Sequence, residues 1–179
     1  MPKSTVVKAE LQISDMDRHY YATHNLVLAQ HPSETDERLM VRLLAFALYA
    51  DERLEFGRGL SDEDEPALWK RDYTGDVDLW IELGHPDESR IRKASARARQ
   101  VVVLNYGGRA SDLWWEKNAG TLSRLKNLTV LALPGDVPGQ LAAIGERGMR
   151  LDVLVQDGEL QLMGERGSVA VRPDVRIAA

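Results

Sequence analysis

The stretch Asp78-Leu79-Trp80-Ile81-Glu82-Leu83-Gly84 organises the rest of the chain. In an extended strand, side chains alternate between faces. Leu79, Ile81 and Leu83 then share one face, and Asp78, Trp80 and Glu82 share the other. A glutamate set among apolar neighbours in mid-strand is costly to bury unless a cation or donor meets it. A metal ion or an arginine would serve, and an edge strand with a polar outer face is the plain alternative. Asp78 and Glu82 would stand roughly 13 Å apart at strand rise, too far to hold one small ion together. A partner carboxylate for Glu82 must come from a neighbouring element. Asp72, across the turn Thr74-Gly75-Asp76, is the best placed by sequence.

Working outward, the alternation over residues 5–14 predicts a strand, with 25–30 as its hairpin partner. Ser33 is the expected N-cap of a helix running to about Ala50, with Glu34, Asp36 and Glu37 in its first turn. Leu39, Met40, Leu43, Leu44, Ala47 and Leu48 recur at helical spacing and predict burial on one side. Short strands are expected at 54–59, 68–72 and 77–84, then a helix from Pro86 to about Arg99. The apolar run 100–106 reads as a strand covered on both faces. A helix over 110–125 and a strand over 127–133 follow, a parallel crossover unit. The chain then predicts a short helix at 139–146 and a hairpin of 150–156 with 159–163 around Asp157-Gly158. Residues 169–172 are a candidate edge strand. With no repeat and no dividing linker, the expected product is one α/β domain of mixed α+β type over 1–179, mixed β-sheets flanked by helices.

Three features could carry chemistry. Glu82 is the first. Glu37 is the second: at 100° per residue it falls between Leu44 and Leu48, inside the apolar stripe, whereas Arg38 and Arg42 fall outside it. Third, Arg90, Lys93 and Arg97 form one basic stripe on the second helix, beside the packing face of Ile91, Ala94 and Ala98. Such a stripe suits a phosphodiester, and equally a solvated face with Glu88 and Arg92 paired. The four histidines show no zinc spacing, and neither a phosphate-binding glycine loop nor a Gly-x-Ser-x-Gly elbow is present. Tyr106-Gly107-Gly108-Arg109 follows a buried-type strand, where α/β proteins often place ligands, but it names none.

Composition narrows the classes. The 179 residues contain no cysteine, which excludes thiol nucleophiles, Cys-based zinc sites and disulfide scaffolds. No apolar run approaches the roughly 20 residues that span a bilayer, so no membrane partner is expected. The start of the chain has no signal-peptide core, and the expected address is cytoplasmic. The net charge of −5 argues against a general nucleic-acid coat. The charge is uneven. Residues 51–78 carry ten acids against four bases, and 85–109 carry six bases against two acids.

These residues closely resemble the YaeQ family of bacterial proteins. The resemblance rests on His31-Pro32-Ser33-Glu34-Thr35, Ala50-Asp51-Glu52-Arg53-Leu54, Arg58-Gly59-Leu60, Asp64-Glu65-Pro66, the Asp78–Gly84 heptapeptide, Pro86-Asp87-Glu88 and Trp114-Trp115. It implies a variant of the PD-(D/E)xK restriction-endonuclease-like core with extra β-hairpins, and a family without an established cellular function. On that resemblance Glu37 is the helix carboxylate, and Asp72, or else Asp78 or Asp76, is the hairpin aspartate. Glu82 is the acid of Glu-x-Lys. Gly84 stands where the lysine belongs, so Lys93 or Arg90 would have to supply the cation. The implied activity is phosphodiester hydrolysis with Mg²⁺ or Mn²⁺ held by Glu37, Asp72, Asp78 and Glu82. Nucleic acid would lie on the Arg90, Lys93 and Arg97 face; no protein partner is implied. The alternative is a non-catalytic binding or regulatory module on the same core.

Overall fold

The computed structural model describes residues 3–59 and 64–179. Met1, Pro2, Leu60 of the Arg58-Gly59-Leu60 motif, and Asp62 and Glu63 of the acidic run lie outside the described residues. The architecture is mixed α+β with mixed sheets, as expected, and the strands divide into two of them, of five and six strands. The chain groups into two compact units, Met1–Leu48 with Asp136–Arg172, and Tyr49–Gly135 with Pro173–Ala179. Elements are numbered along the whole chain.

The first unit contains β1 (Thr5–Asp15), β2 (Tyr20–Gln30), α1 (Asp36–Leu48), α4 (Val137–Ile144), β8 (Gly148–Gln156), β9 (Glu159–Gly164) and β10 (Gly167–Val171). Its sheet runs β10-β9-β8-β1-β2, with β1 parallel to β8 and the other pairs antiparallel. The alternation of β1 puts Val7, Ala9, Leu11 and Ile13 on the buried face, none more than 2% exposed. The Asp157-Gly158 turn has both φ values positive, 53° and 78°, the conformation that makes this dipeptide a tight hairpin. Asp17 accepts both of its backbone N–H groups at 2.8 Å. β2 begins at Tyr20 rather than Asn25, because its alternation is carried by tyrosine, threonine and histidine rather than aliphatic residues.

Helix α1 differs from its prediction in three ways. The Thr35 hydroxyl accepts the Arg38 N–H at 3.1 Å, so Thr35 takes the N-cap role, while Ser33 pairs with His31. Every residue from Leu39 to Ala47 is buried, not one stripe. Arg42, placed outside the apolar stripe by its angle, is among them, because Glu34 receives it at 2.6 Å. Glu34 also holds Arg38 at 2.5 Å.

The second unit contains β3 (Leu54–Phe56), β4 (Leu68–Arg71), β5 (Val77–Leu83), α2 (Glu88–Arg97), β6 (Ala98–Asn105), α3 (Arg109–Leu122), β7 (Leu128–Ala132) and β11 (Asp174–Ile177). Its sheet runs β11-β7-β6-β5-β4-β3. β5, β6 and β7 are parallel, joined through α2 and α3 as the predicted crossover pattern requires. Trp69 and Trp80 stand opposite one another on β4 and β5, with ring centroids 5.9 Å apart and edge-on. They share a core with Ile91 and Ala94 of α2 and Val101 and Val103 of β6. β11 was not anticipated: Asp174 and Arg176 flank Val175 and mask its alternation.

Replacing Glu34 by alanine would strand the buried Arg42 guanidinium. It should cost about 3–5 kcal/mol in urea unfolding, against under ~1 kcal/mol for exposed Asp36→Ala. Equal losses for the two variants would contradict a structural role for Glu34.

Candidate functional site

The polar face of β5 was the sequence's strongest site signal. Glu82 is buried, 6% exposed. Its Oε1 accepts the Trp80 indole N–H at 2.8 Å and the Arg90 Nε–H at 2.9 Å. Two residues apart on one strand, Trp80 and Glu82 necessarily point the same way. Arg90 arrives from the first turn of α2, and the same guanidinium donates to the Glu65 carbonyl at 2.9 Å. A buried carboxylate requires such pairing, since leaving water uncompensated costs several kcal/mol.

Asp72 and Asp78 lie toward the other end of the strand and are joined by one cation. Arg99 pairs with Asp78 and lies 3.2 Å from Asp72, and Arg53 is 3.5 Å from the second Asp78 oxygen. Asp72 also shapes the turn. Its Oδ1 accepts the Thr74 hydroxyl at 2.6 Å and the Thr74 and Asp76 N–H groups at 2.9 and 3.0 Å. The Thr74 hydroxyl is the main cause of an Asp72 pKa lowered to about 2, with the two backbone donors and Arg99 helping and desolvation opposing.

Glu37 belongs to the other compact unit, half-buried in the first turn of α1. Lys93 is exposed on α2, and Arg97 stacks over Trp69 and Trp80 at 5.7 and 5.4 Å. Arg71, two residues along the same strand, covers Trp69 at 4.4 Å. Arg92 pairs with Glu88 as the i,i+4 spacing predicted. Among the described residues, no three His, Asp or Glu side chains are grouped so as to hold a metal ion.

A second polar cluster sits at the carboxyl ends of β5 and β6. Asn105, fully buried, donates to the Gly84 carbonyl at 2.7 Å and accepts from Arg176 at 3.2 Å. Arg176 also donates to the Ser111 carbonyl and hydroxyl at 3.0 Å and pairs with Asp112. His85 stacks near Tyr106 and Trp114, each centroid 6.4 Å away. Burial pushes the His85 imidazole below its ordinary value, Arg176 adds to this, and a hydrogen bond with the Tyr106 backbone opposes it. This cluster lies at the sheet end that Tyr106-Gly107-Gly108-Arg109 follows, where Gly107 and Arg109 are exposed. The sequence offered little to find Arg176, which lies 71 residues beyond Asn105. Glu34 was also missed as a buried acid, although Glu34, Arg38 and Arg42 at successive four-residue steps were legible as one ion-pair ladder.

These features define a mixed α+β protein with two mixed sheets and four helices among the described residues, its buried carboxylates bound by arginine. The model of the YaeQ protein family matches residues 1–173, and the chain belongs to that family. It is 43% identical over 169 residues to "Uncharacterized protein YaeQ" of Escherichia coli (strain K12), covering 94% of this chain and 93% of that one. The Salmonella typhi protein of that name is 44% identical over 170 residues, covering 95% and 94%. The crystal structure of YaeQ protein from Xanthomonas axonopodis pv. citri superimposes with a TM-score of 0.96 at 63% identity, covering 98% of this chain and 99% of that one. That of the Pseudomonas syringae YaeQ protein gives 0.94 at 39% identity, covering 98% and 97%. No described helix is long and apolar enough to cross a membrane.

Because the Asp72 value in the folded chain lies below the ordinary 3.8, the charged form adds stability above pH 3.8. That contribution is lost as pH falls toward about 2. Carboxyl-carbon NMR should find Asp72 titrating near 2, and Thr74→Val should move it up toward 3.8. An unchanged value in that variant would remove the hydroxyl as the cause.

Proposed function

We propose that the protein is a non-catalytic binding module that keeps a nuclease-like core without its metal chemistry. One observation carries the reading: Glu82, the acid expected to ligate the metal, spends its Oε1 on Trp80 and Arg90 inside the protein. The remaining donors fit a hard cation no better. Asp72 holds its own turn and shares Arg99 with Asp78, and Gly84 replaces the lysine. Mg²⁺ and Mn²⁺ prefer clustered carboxylate and water oxygens near octahedral geometry. An acid already neutralised by a guanidinium is a poor member of such a shell. Hydrolysis by Glu37, Asp72, Asp78 and Glu82, with Lys93 or Arg90 on the phosphate, would require the arginine pairs of Asp72, Asp78 and Glu82 to break first.

The contact we assign to the module is the outer edge of α2. That helix carries Arg90, Arg92, Lys93 and Arg97 against Glu88 alone. Arg90 is turned inward, Arg92 pairs with Glu88 and Arg97 lies on Trp69 and Trp80, so exposed Lys93 leads the contact with a phosphate backbone and the outer edge of Arg97 supports it. Such binding is electrostatic and needs no metal.

Calorimetry with Mn²⁺ should give the same featureless trace for wild type and Glu82→Ala, and neither should cleave DNA or RNA with Mg²⁺ or Mn²⁺. Fluorescence anisotropy with short oligonucleotides in chelator should show salt-dependent binding, weakened several-fold by Lys93→Glu. Saturable Mn²⁺ binding and Mg²⁺-dependent cleavage, both lost in Glu82→Ala, would overturn the reading in favour of hydrolysis.

A further inference from the structure

The open edge of the first sheet is unlike every other sheet edge among the described residues. β3 has three residues, and one of them is Glu55. β10 has five and runs into Arg172-Pro173. β11 has four, follows Pro173 and carries a register shift between Val175 and Ile177. Short length, charge, proline and bulges are the usual protections of a sheet edge against another chain. β2 has none of them. It is eleven residues long, Tyr-Tyr-Ala-Thr-His-Asn-Leu-Val-Leu-Ala-Gln, without a charge, a proline or a glycine, and pairs with β1 without a shift.

The backbone groups on that edge can be identified. The N–H groups of Lys8 and Met16 donate to Arg147 and Val155, so even-numbered residues of β1 bond toward β8. Odd-numbered residues of β1 therefore bond to β2, and the register Val7↔Leu28 assigns this inner bonding to the even-numbered residues of β2. Tyr21, Thr23, Asn25, Val27 and Ala29 turn their N–H and C=O groups to the open edge. Arg42 already donates to the Ala29 carbonyl at 3.1 Å, which agrees with this parity and removes Ala29. The same odd residues carry their side chains on the outer face, where Tyr21 is 60% and Val27 65% exposed.

We propose that β2 pairs antiparallel with β2 of a second copy of this chain, across a twofold axis at His24. One register uses all four available residues and no other: Tyr21 opposite the second copy's Val27, and Thr23 opposite its Asn25. A register centred on Asn25 would require Ala29, and one centred on Thr23 would leave Val27 unmatched. In the His24 register each of these pairs exchanges two backbone hydrogen bonds. Tyr21 then lies against Val27, an aromatic on β-branched cross-strand pair, and the two large exposed apolar side chains of the strand cover each other. His24 points to the inner face, where the Tyr20 hydroxyl at 2.7 Å and the Phe46 ring hold it. A second copy fits better than a foreign strand because a charge-free strand meets itself without repulsion, and its two apolar outer positions are symmetric about the axis. The two five-stranded sheets become one sheet of ten.

Sedimentation velocity should show wild type at twice the 20.0 kDa chain mass, with Val27→Lys and Thr23→Pro reduced to monomer at unchanged circular dichroism. Thr23→Pro deletes an outward N–H, which an edge strand tolerates. The chain lacks cysteine, so Tyr21→Cys protein mixed with Val27→Cys protein and a short bismaleimide should give a covalent heterodimer. A monomer across the whole concentration range would overturn the proposal. So would a dimer that survives both variants, or crosslinking no stronger for 21 with 27 than for 21 with 21.

Discussion

A carboxylate inside a protein must be paid for locally, and Glu82 shows how this chain does it. Its oxygen sits between an indole N–H on its own strand and a guanidinium from the following helix. Arg90 then reaches the Glu65 carbonyl, so one cation ties β5, α2 and the segment before β4 together. Above this, Arg97 lies on Trp69 and Trp80 and donates to the Asp64 carbonyl at 3.1 Å. The polar face that looked free for a ligand is occupied by the protein's own side chains.

The same solution recurs. The acids buried among the described residues are Asp15, Glu34 and Glu82, and each meets arginine: Arg18 at 2.8 Å, Arg38 and Arg42, and Arg90. Planar guanidinium groups satisfy carboxylate oxygens with directed donors, which a hydrated point charge does less well. Removing one partner of such a pair is costly, whereas the intact pair adds little net stability. Their role is therefore to fix geometry: Glu34 seats α1, and Glu82 seats α2 against the sheet.

Much of the architecture was legible in the sequence because it is written in periodicity. The alternation of β1, the apolar runs of β6 and β7 and the Asp157-Gly158 turn each map to one element. The pairing of β1 with β8 was not legible, since strands from opposite ends of the chain leave no local trace of their adjacency. Nor was the assignment of each strand to one of the two sheets. At the candidate site, the alternation correctly put Trp80 and Glu82 on one face, and an arginine was one of the two partners considered for Glu82. Which partner prevails is set by Arg90 eight residues on, a helix-to-strand contact that spacing alone does not rank. Arg42 reversed its helical-wheel assignment because Glu34 makes its burial affordable.

A double-mutant cycle on Glu82 and Arg90, read by urea unfolding of Glu82→Ala, Arg90→Ala and the combined variant, tests the account at its centre. Arg90→Ala alone should cost about 3 kcal/mol, because a buried charge loses its partner. The combined variant should recover part of that loss, giving a coupling above ~1 kcal/mol. Additive effects with no coupling would mean that Glu82 is not held by Arg90, and the acid would again be available to a metal ion.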